Sequence, residues 1–268
     1  MKYRNITFLF VFITFQGFSQ IDEFSKYAFI YELTHQSDST DINSKRSENM
    51  LLLIGEDISQ FESYNKHRRD SLISKVKSGS LENFSMSNMP NFPRTKIHYK
   101  ILKNYPKDSI TVYDNIFTDK FEYVESKKID WEIYPDTLTI NGYKSQKAKT
   151  SYGGRSYEAW FTTQIPIPDG PYKFCGLPGL IIKISDSKNH YVFELTDVLE
   201  NKYKMSNLSS HSEPFFTDKK TFFKKLKESK DNAINKMAEM GFIVADESKQ
   251  NVRKKMKAKN NPIELVFD

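Results

Sequence analysis

Alternation of apolar and polar residues dominates the chain and predicts strands more often than helices. Tyr27–Leu33 (YAFIYEL) puts Ala28, Ile30 and Glu32 on one face and Tyr27, Phe29, Tyr31 and Leu33 on the other. The polar run HQSDSTDINSKRSE reads as loop, MLLLI as a short apolar strand, and residues 65–93 as an irregular excursion with a short helix near Asp70–Val76. From Tyr99 the strand signals crowd together at Tyr99–Leu102, Ile110–Tyr113, Phe121–Val124 and Ile129–Tyr134. Asn141-Gly142 then joins Thr137–Ile140 to Tyr143–Thr150, a two-residue hairpin turn in which both positions take positive φ. Gly153-Gly154 marks a second tight turn into Arg155–Thr163, and Leu180–Ile184 faces Tyr191–Val198 across SDSKNH. Connections this short make consecutive strands antiparallel neighbours.

The period changes after Phe216. Thr217 or Asp218 caps a helix carrying Phe222, Phe223, Leu226, Ala233, Ile234 and Met237, which Gly241 ends. A basic polar stretch, KQNVRKKMKAKNN, precedes a terminal strand candidate at Pro262–Phe267. The fold class expected is mainly β: an antiparallel, curved sheet of consecutive hairpins with a C-terminal helix packed on or beside it.

Between the strands lies PYKFCGLPGLIIKI, residues 171–184. Three prolines in IPIPDGP remove ladder donors, so residues 165–171 cross the fold irregularly and do not form a central strand. Pro178-Gly179 fits the central positions of a type II turn, with Gly179 at positive φ. Leu180, Ile182 and Ile184 would then enter the core, with Ile181 and Lys183 opposite. Gly176, Leu177, Pro178, Gly179, Leu180 and Ile181 are therefore read as an architectural corner. The glycine spacing matches no phosphate-binding loop, and no Lys-Ser or Lys-Thr follows it.

The N-terminus changes the cellular picture. Lys2 and Arg4 precede an apolar run, Ile6–Phe15, and Gly17 and Ser19 fit a cut before Gln20. This is the order of parts in a secretory signal peptide, and the run is about half of the roughly 20 residues a membrane span needs. The expected organisation is a signal at 1–19 and one β-rich domain at 20–268, with a helical, basic-rich segment at 217–260. Removing the signal takes away Lys2 and Arg4, so the mature charge falls below the +6 of the whole chain. No later segment is apolar enough to span a membrane. Cys175 is the single cysteine, so no internal disulfide staples the domain and its core must hold it. The 21 Phe and 15 Tyr supply the bulk of that core.

Candidate chemistry is sparse. Cys175 has no local base, and His190 would have to approach it through folding. His35, His67, His98, His190 and His211 never fall at metal-ligand spacing, and no cofactor motif is present. The basic clusters at Lys219–Lys230 and Arg253–Lys259 read as solvated faces, and an exported protein has no nucleic-acid partner to meet them. Trp160 shares a face with Glu158 and Thr162. It either packs beneath the helix at 218–240 or lines a groove with Arg155 and Tyr157 for an apolar or peptide ligand.

Several of these stretches resemble the GLPGLI family of exported proteins from Bacteroidetes-type bacteria. The resemblance runs through Ile140–Lys144, Gly154-Arg155, Tyr157, Ala159–Thr162, Ile165-Pro166, Gly170-Pro171 and Phe174 into Gly176–Ile181. Leu51–Ile54 with Ser59 and Phe61, and the closing Asn261–Glu264, are similar too. It implies an exported, mainly β protein of the periplasm or outer membrane, with secretion also open, as a companion of TonB-dependent transport. It carries over no catalytic residue. The leading reading is a non-enzymatic binding or accessory protein of the envelope whose sheet curves around an aromatic-lined void. A hydrolase or peptidase and a structural or adhesive module are the alternatives.

Overall fold

The structure, a computed structural model, describes residues 23–80, 92–200, 202–205 and 213–267. Residues 1–19, where a signal peptide is expected, and His211 lie outside them. A long meander comprises β2 (Tyr27–Gln36), β3 (Lys45–Ile54), β4 (Ser59–Ser63), β5 (Lys100–Lys103), β6 (Ser109–Ile116) and β7 (Asp119–Ser126). A second comprises β8 (Glu132–Ile140), β9 (Tyr143–Tyr152), β10 (Arg155–Thr162), β11 (Leu180–Asp186) and β12 (Tyr191–Leu199). They join where β12 pairs antiparallel with β2, so the first and last long strands lie side by side in the middle of one sheet. The short β14 (Phe215–Phe216) pairs parallel with β7 and completes 12 strands; β1 (Glu23–Phe24) pairs separately with β13 (Lys204–Met205).

The sheet curls. Nine strand steps separate β7 from β9 in the sheet order, about 43 Å if the sheet were flat. Yet Tyr152 Oη of β9 donates to Glu125 Oε2 of β7 at 3.1 Å. The two ends of the sheet therefore face one another across the interior. The space between is filled: Phe29, Tyr31, Phe61, Phe161, Phe174 and Phe193 are all buried in one continuous core. Among the described residues, the crossing segment 163–179 and the C-terminal tail pack into the space where a void was expected. A smaller apolar cluster, including Ala28, Ile30, Leu51, Leu53 and Met205, covers the other side of the central strands. Both faces of β2 are thus buried over Ala28–Tyr31.

Turn chemistry behaves as the sequence demands at Asn141-Gly142 (φ 50° and 83°) and Gly153-Gly154 (φ 55° and 78°). Helices differ more. The excursion holds a 14-residue helix, α1 (Tyr64–Lys77), capped by Ser63 Oγ, which accepts from Lys66 N. The expected C-terminal helix breaks at Asn232 into α2 (Lys219–Asp231), capped by Asp218, and α3 (Ala233–Glu239). The basic polar stretch folds as a further helix, α4 (Asp246–Lys257). Pro262–Phe267 is not a strand: Leu265 N and Val266 N both donate to Gly153 O, leaving an extended strap.

Candidate functional site

The corner at Gly176–Ile181 is built from close backbone approach. Gly179 N donates to Leu177 O at 2.8 Å, closing a three-residue turn about Pro178 where a type II turn was expected. Gly179 has φ 155°, and a Cβ there would lie 2.1 Å from Thr162 O of β10. Space, more than a left-handed backbone, demands this glycine. Gly176, at φ 96°, supplies the left-handed turn with open space around it. Leu177, Leu180, Ile181 and Ile182 are all buried. Ile181 is enclosed along with its neighbours because Gly170 lies against it, leaving no room for a Cβ.

Lys103 Nζ fastens the crossing segment from below. It pairs with Asp169 and donates to Gly170 O at 2.6 Å, while Tyr31 Oη donates to Ile181 O at 2.7 Å. Cys175 is buried in this packing, and burial pushes its thiol up. His190 stands beyond the far end of β11, about 20 Å away along the strand, so the two form no nucleophile–base pair.

Arg155, Tyr157 and Trp160 are not brought together. Trp160 points away from the core, half-exposed, with Nε1 3.3 Å from Glu158 Oε1 and Lys147 Nζ over its ring. No helix covers it, because α2 packs on β6 and β7 instead. Arg155 and Tyr157 turn inward onto the C-terminal strap. The Arg155 guanidinium donates to Asp186 Oδ2 at 2.9 Å, Asn261 Oδ1 at 2.6 Å, Pro262 O at 2.6 Å and Ile263 O at 2.9 Å. Tyr191 Oη donates to Asn261 O at 2.6 Å.

Three residues after Asn261, Glu264 is fully buried and accepts from Tyr172 Oη and Lys173 Nζ, both at 2.6 Å; Lys219 of α2 pairs with its other oxygen. Burial alone would raise the Glu264 carboxyl, but Lys173 and Lys219 outweigh it and hold the carboxyl below its usual range. Stretches far apart in sequence, Gly154–Tyr157, Pro171–Phe174 and Asn261–Glu264, thus meet in one polar network that ties down the strap.

Beyond the strap, its outward side forms a wall of a groove of about 780 Å³ between α2 and α4. Phe223, Leu226, Met256, Pro262 and Phe267 supply apolar surface, and Phe267 stacks on Phe223 with ring centroids 3.9 Å apart. Half of the lining residues are Lys or Arg, against one carboxylate, Asp231. Helical spacing explains the arrangement. On α2, Lys220, Phe223, Lys224, Lys227 and Lys230 share a face, and on α4, Arg253, Met256 and Lys257 do. Burial and the charge of Lys259 lower the Lys230 ammonium. Among the described residues, no cluster of three or more His, Cys, Asp or Glu is placed to hold a metal.

Residues 124–183 match a family described as "Protein of unknown function (Porph_ging)", and the corner hexapeptide lies within that match. Comparison with curated proteins finds no match. Among solved structures, PNGF-II in a P21 crystal form is similar with a TM-score of 0.50 and 16% identity, covering 77% of this chain and 34% of that one. PNGF-II in a C2 form gives a TM-score of 0.49 at 16% identity, covering 76% and 33%. The chain therefore spans about a third of PNGF-II, and at this identity the likeness is one of fold.

Proposed function

We propose that this chain is an exported cell-envelope protein that works by binding, as an accessory component, and that the groove between α2, α4 and the strap is its ligand site. The observation that carries this reading is the groove itself. A concave surface of about 780 Å³ with an aromatic and aliphatic floor has the size and character of small-molecule sites, which run to about 300–1,000 Å³. The strap that walls it is held by a buried network, so the site is largely pre-formed. Export rests on the N-terminal pattern of Lys2, Arg4 and the apolar run after them.

The test is uptake of a neutral naphthylamine dye, whose fluorescence rises on leaving water. Leu226→Asp and Met256→Asp, each confirmed folded by circular dichroism, should abolish the rise, and Trp160→Ala should leave it intact. Dye binding that survives both groove variants would place the ligand elsewhere.

A further inference from the structure

We infer that the groove takes a single-chain amphiphile with an anionic head, its chain on the Phe223–Leu226–Met256 floor and its head among the lysines of the rim. This rests on the groove being the ligand site and specifies what enters it. The argument is one of unbalanced charge. Elsewhere in the protein, buried cations have their counter-charges built in: Lys103 pairs with Asp169, Lys66 with Glu62, Arg155 with Asp186, and Lys173 with Glu264. The cations around the groove, half-buried at Lys230 and exposed at Lys220, Lys224, Lys227 and Arg253, are not so paired.

Lys220, Lys224, Lys227, Lys230 and Arg253 have no carboxylate within ion-pair distance among the described residues, although Asp231 lies in the same wall. Lys230 is half-buried, and its Nζ finds only Lys259 O, at 3.4 Å. Two helix faces thus present like charges around a shared apolar floor, a local positive field that favours an anion entering. Nucleic acid fits poorly, since the two rings of the groove, Phe223 and Phe267, are already stacked on one another and the rest of the floor is aliphatic. A flat membrane surface cannot reach into a concave site. An alkyl chain ending in a carboxylate satisfies both floor and rim.

The experiment uses the mature chain with the neutral dye bound, displaced in turn by laurate, by lauryl alcohol and by dodecyltrimethylammonium. Laurate should bind about tenfold more tightly than the alcohol, the worth of one charge-assisted contact, and the cationic amphiphile least well. The advantage of laurate should shrink with added salt and with Lys230→Met, while the alcohol binds that variant as it binds the parent. Lys230→Gln serves the same purpose should the methionine variant fail to fold.

Equal affinity for laurate and the alcohol would overturn the inference and leave the groove as an apolar site. A preference for laurate that persists in both Lys230→Met and Lys230→Gln would overturn it as well. Co-sedimentation with anionic vesicles, without displacement of dye by laurate, would assign the basic rim to a membrane surface instead. Failure of dye and alcohol alike would remove the ligand site on which the inference stands.

Discussion

Replacing Arg155 by methionine removes one side chain and strands several partners. Asp186, 2% exposed, loses its one salt-bridge partner among the described residues, though Oδ1 still accepts from Tyr191 N at 2.8 Å. Asn261 Oδ1 and Pro262 O lose their donor, and Ile263 O keeps only the longer bond from Tyr157 Oη at 3.3 Å. Breaking a buried ion pair on one side costs about 3–5 kcal/mol, because the remaining charge stays desolvated. Taking about 4 kcal/mol, and 2–4 °C per kcal/mol for a domain of this size, the melting temperature should fall by about 8–16 °C.

A second substitution tests the mechanism. Adding Asp186→Asn to the variant neutralises the stranded carboxylate and should return about 2 kcal/mol, measured as coupling in a double-mutant cycle. The loss should also be local: amide exchange at residues 259–267 should rise more than in β2 or β11, and groove binding should weaken as its wall loosens. A variant melting within about 2 °C of the parent, well inside the shift calculated above, with the strap as protected as before, would refute the reasoning.

Gly179→Ala should destabilise by about 3 kcal/mol in urea unfolding, since its Cβ meets the paired backbone of β10 at Thr162 O. Gly176→Ala, strained only by φ 96° in open space, should cost less, about 1–2 kcal/mol; the reverse order would put the steric demand at the wrong glycine. Burial pushes the Asp114 carboxyl up to about 6 from 3.8, so its ionised form opposes folding above that range and the opposition fades as pH falls toward 4. Asp114→Asn should therefore stabilise the protein by on the order of 2 kcal/mol at pH 7.5, with no gain near pH 4; an equal gain at both would exclude the titration. Glu264, held low by Lys173 and Lys219, acts with the opposite sign: its contribution is present above the usual carboxylate range and is lost as pH falls through its depressed folded value, which Glu264→Gln should remove from the acid limb of the stability profile. Cys175 should resist alkylation in the folded protein and react at once in urea; rapid native labelling would contradict its burial.

What could be read in advance was local. Asn141-Gly142 and Gly153-Gly154 specify their turns because the backbone demand is met within two residues, and Asp218 caps α2 through Thr221 N three residues on. What could not be read was long-range. Nothing in spacing links Arg155 to Asn261, 106 residues away, and a lone arginine beside tyrosines reads equally well as a groove lining or a buried anchor. Likewise α4 carries only Val252 and Met256 as large apolar residues, so its stripe is too thin to show through the surrounding lysines. The groove was hidden for the same reason. On α2 the apolar Phe223 and Leu226 were legible, but the lysines beside them and the whole of α4 have the composition of a solvated face, and only the apposition of the two helices encloses an apolar floor.

The two populations of cations carry the remaining step. Lys103, Lys173 and Arg155 are nearly inaccessible and each meets a carboxylate of the same chain, so their charge is satisfied internally and holds the crossing segment and the strap in place. A cation so placed gains nothing from a ligand. Lys220, Lys224, Lys227, Lys230 and Arg253, which line the groove, flank apolar surface and lack such partners among the described residues, so their charge is free to meet an anion from outside the chain. The strap belongs to both systems: its Glu264 closes the inner network while Pro262 and Phe267 face the groove. Loosening the network should thus weaken binding without touching a groove residue, whereas neutralising Lys230 should weaken anion binding without moving the melting temperature of the sheet.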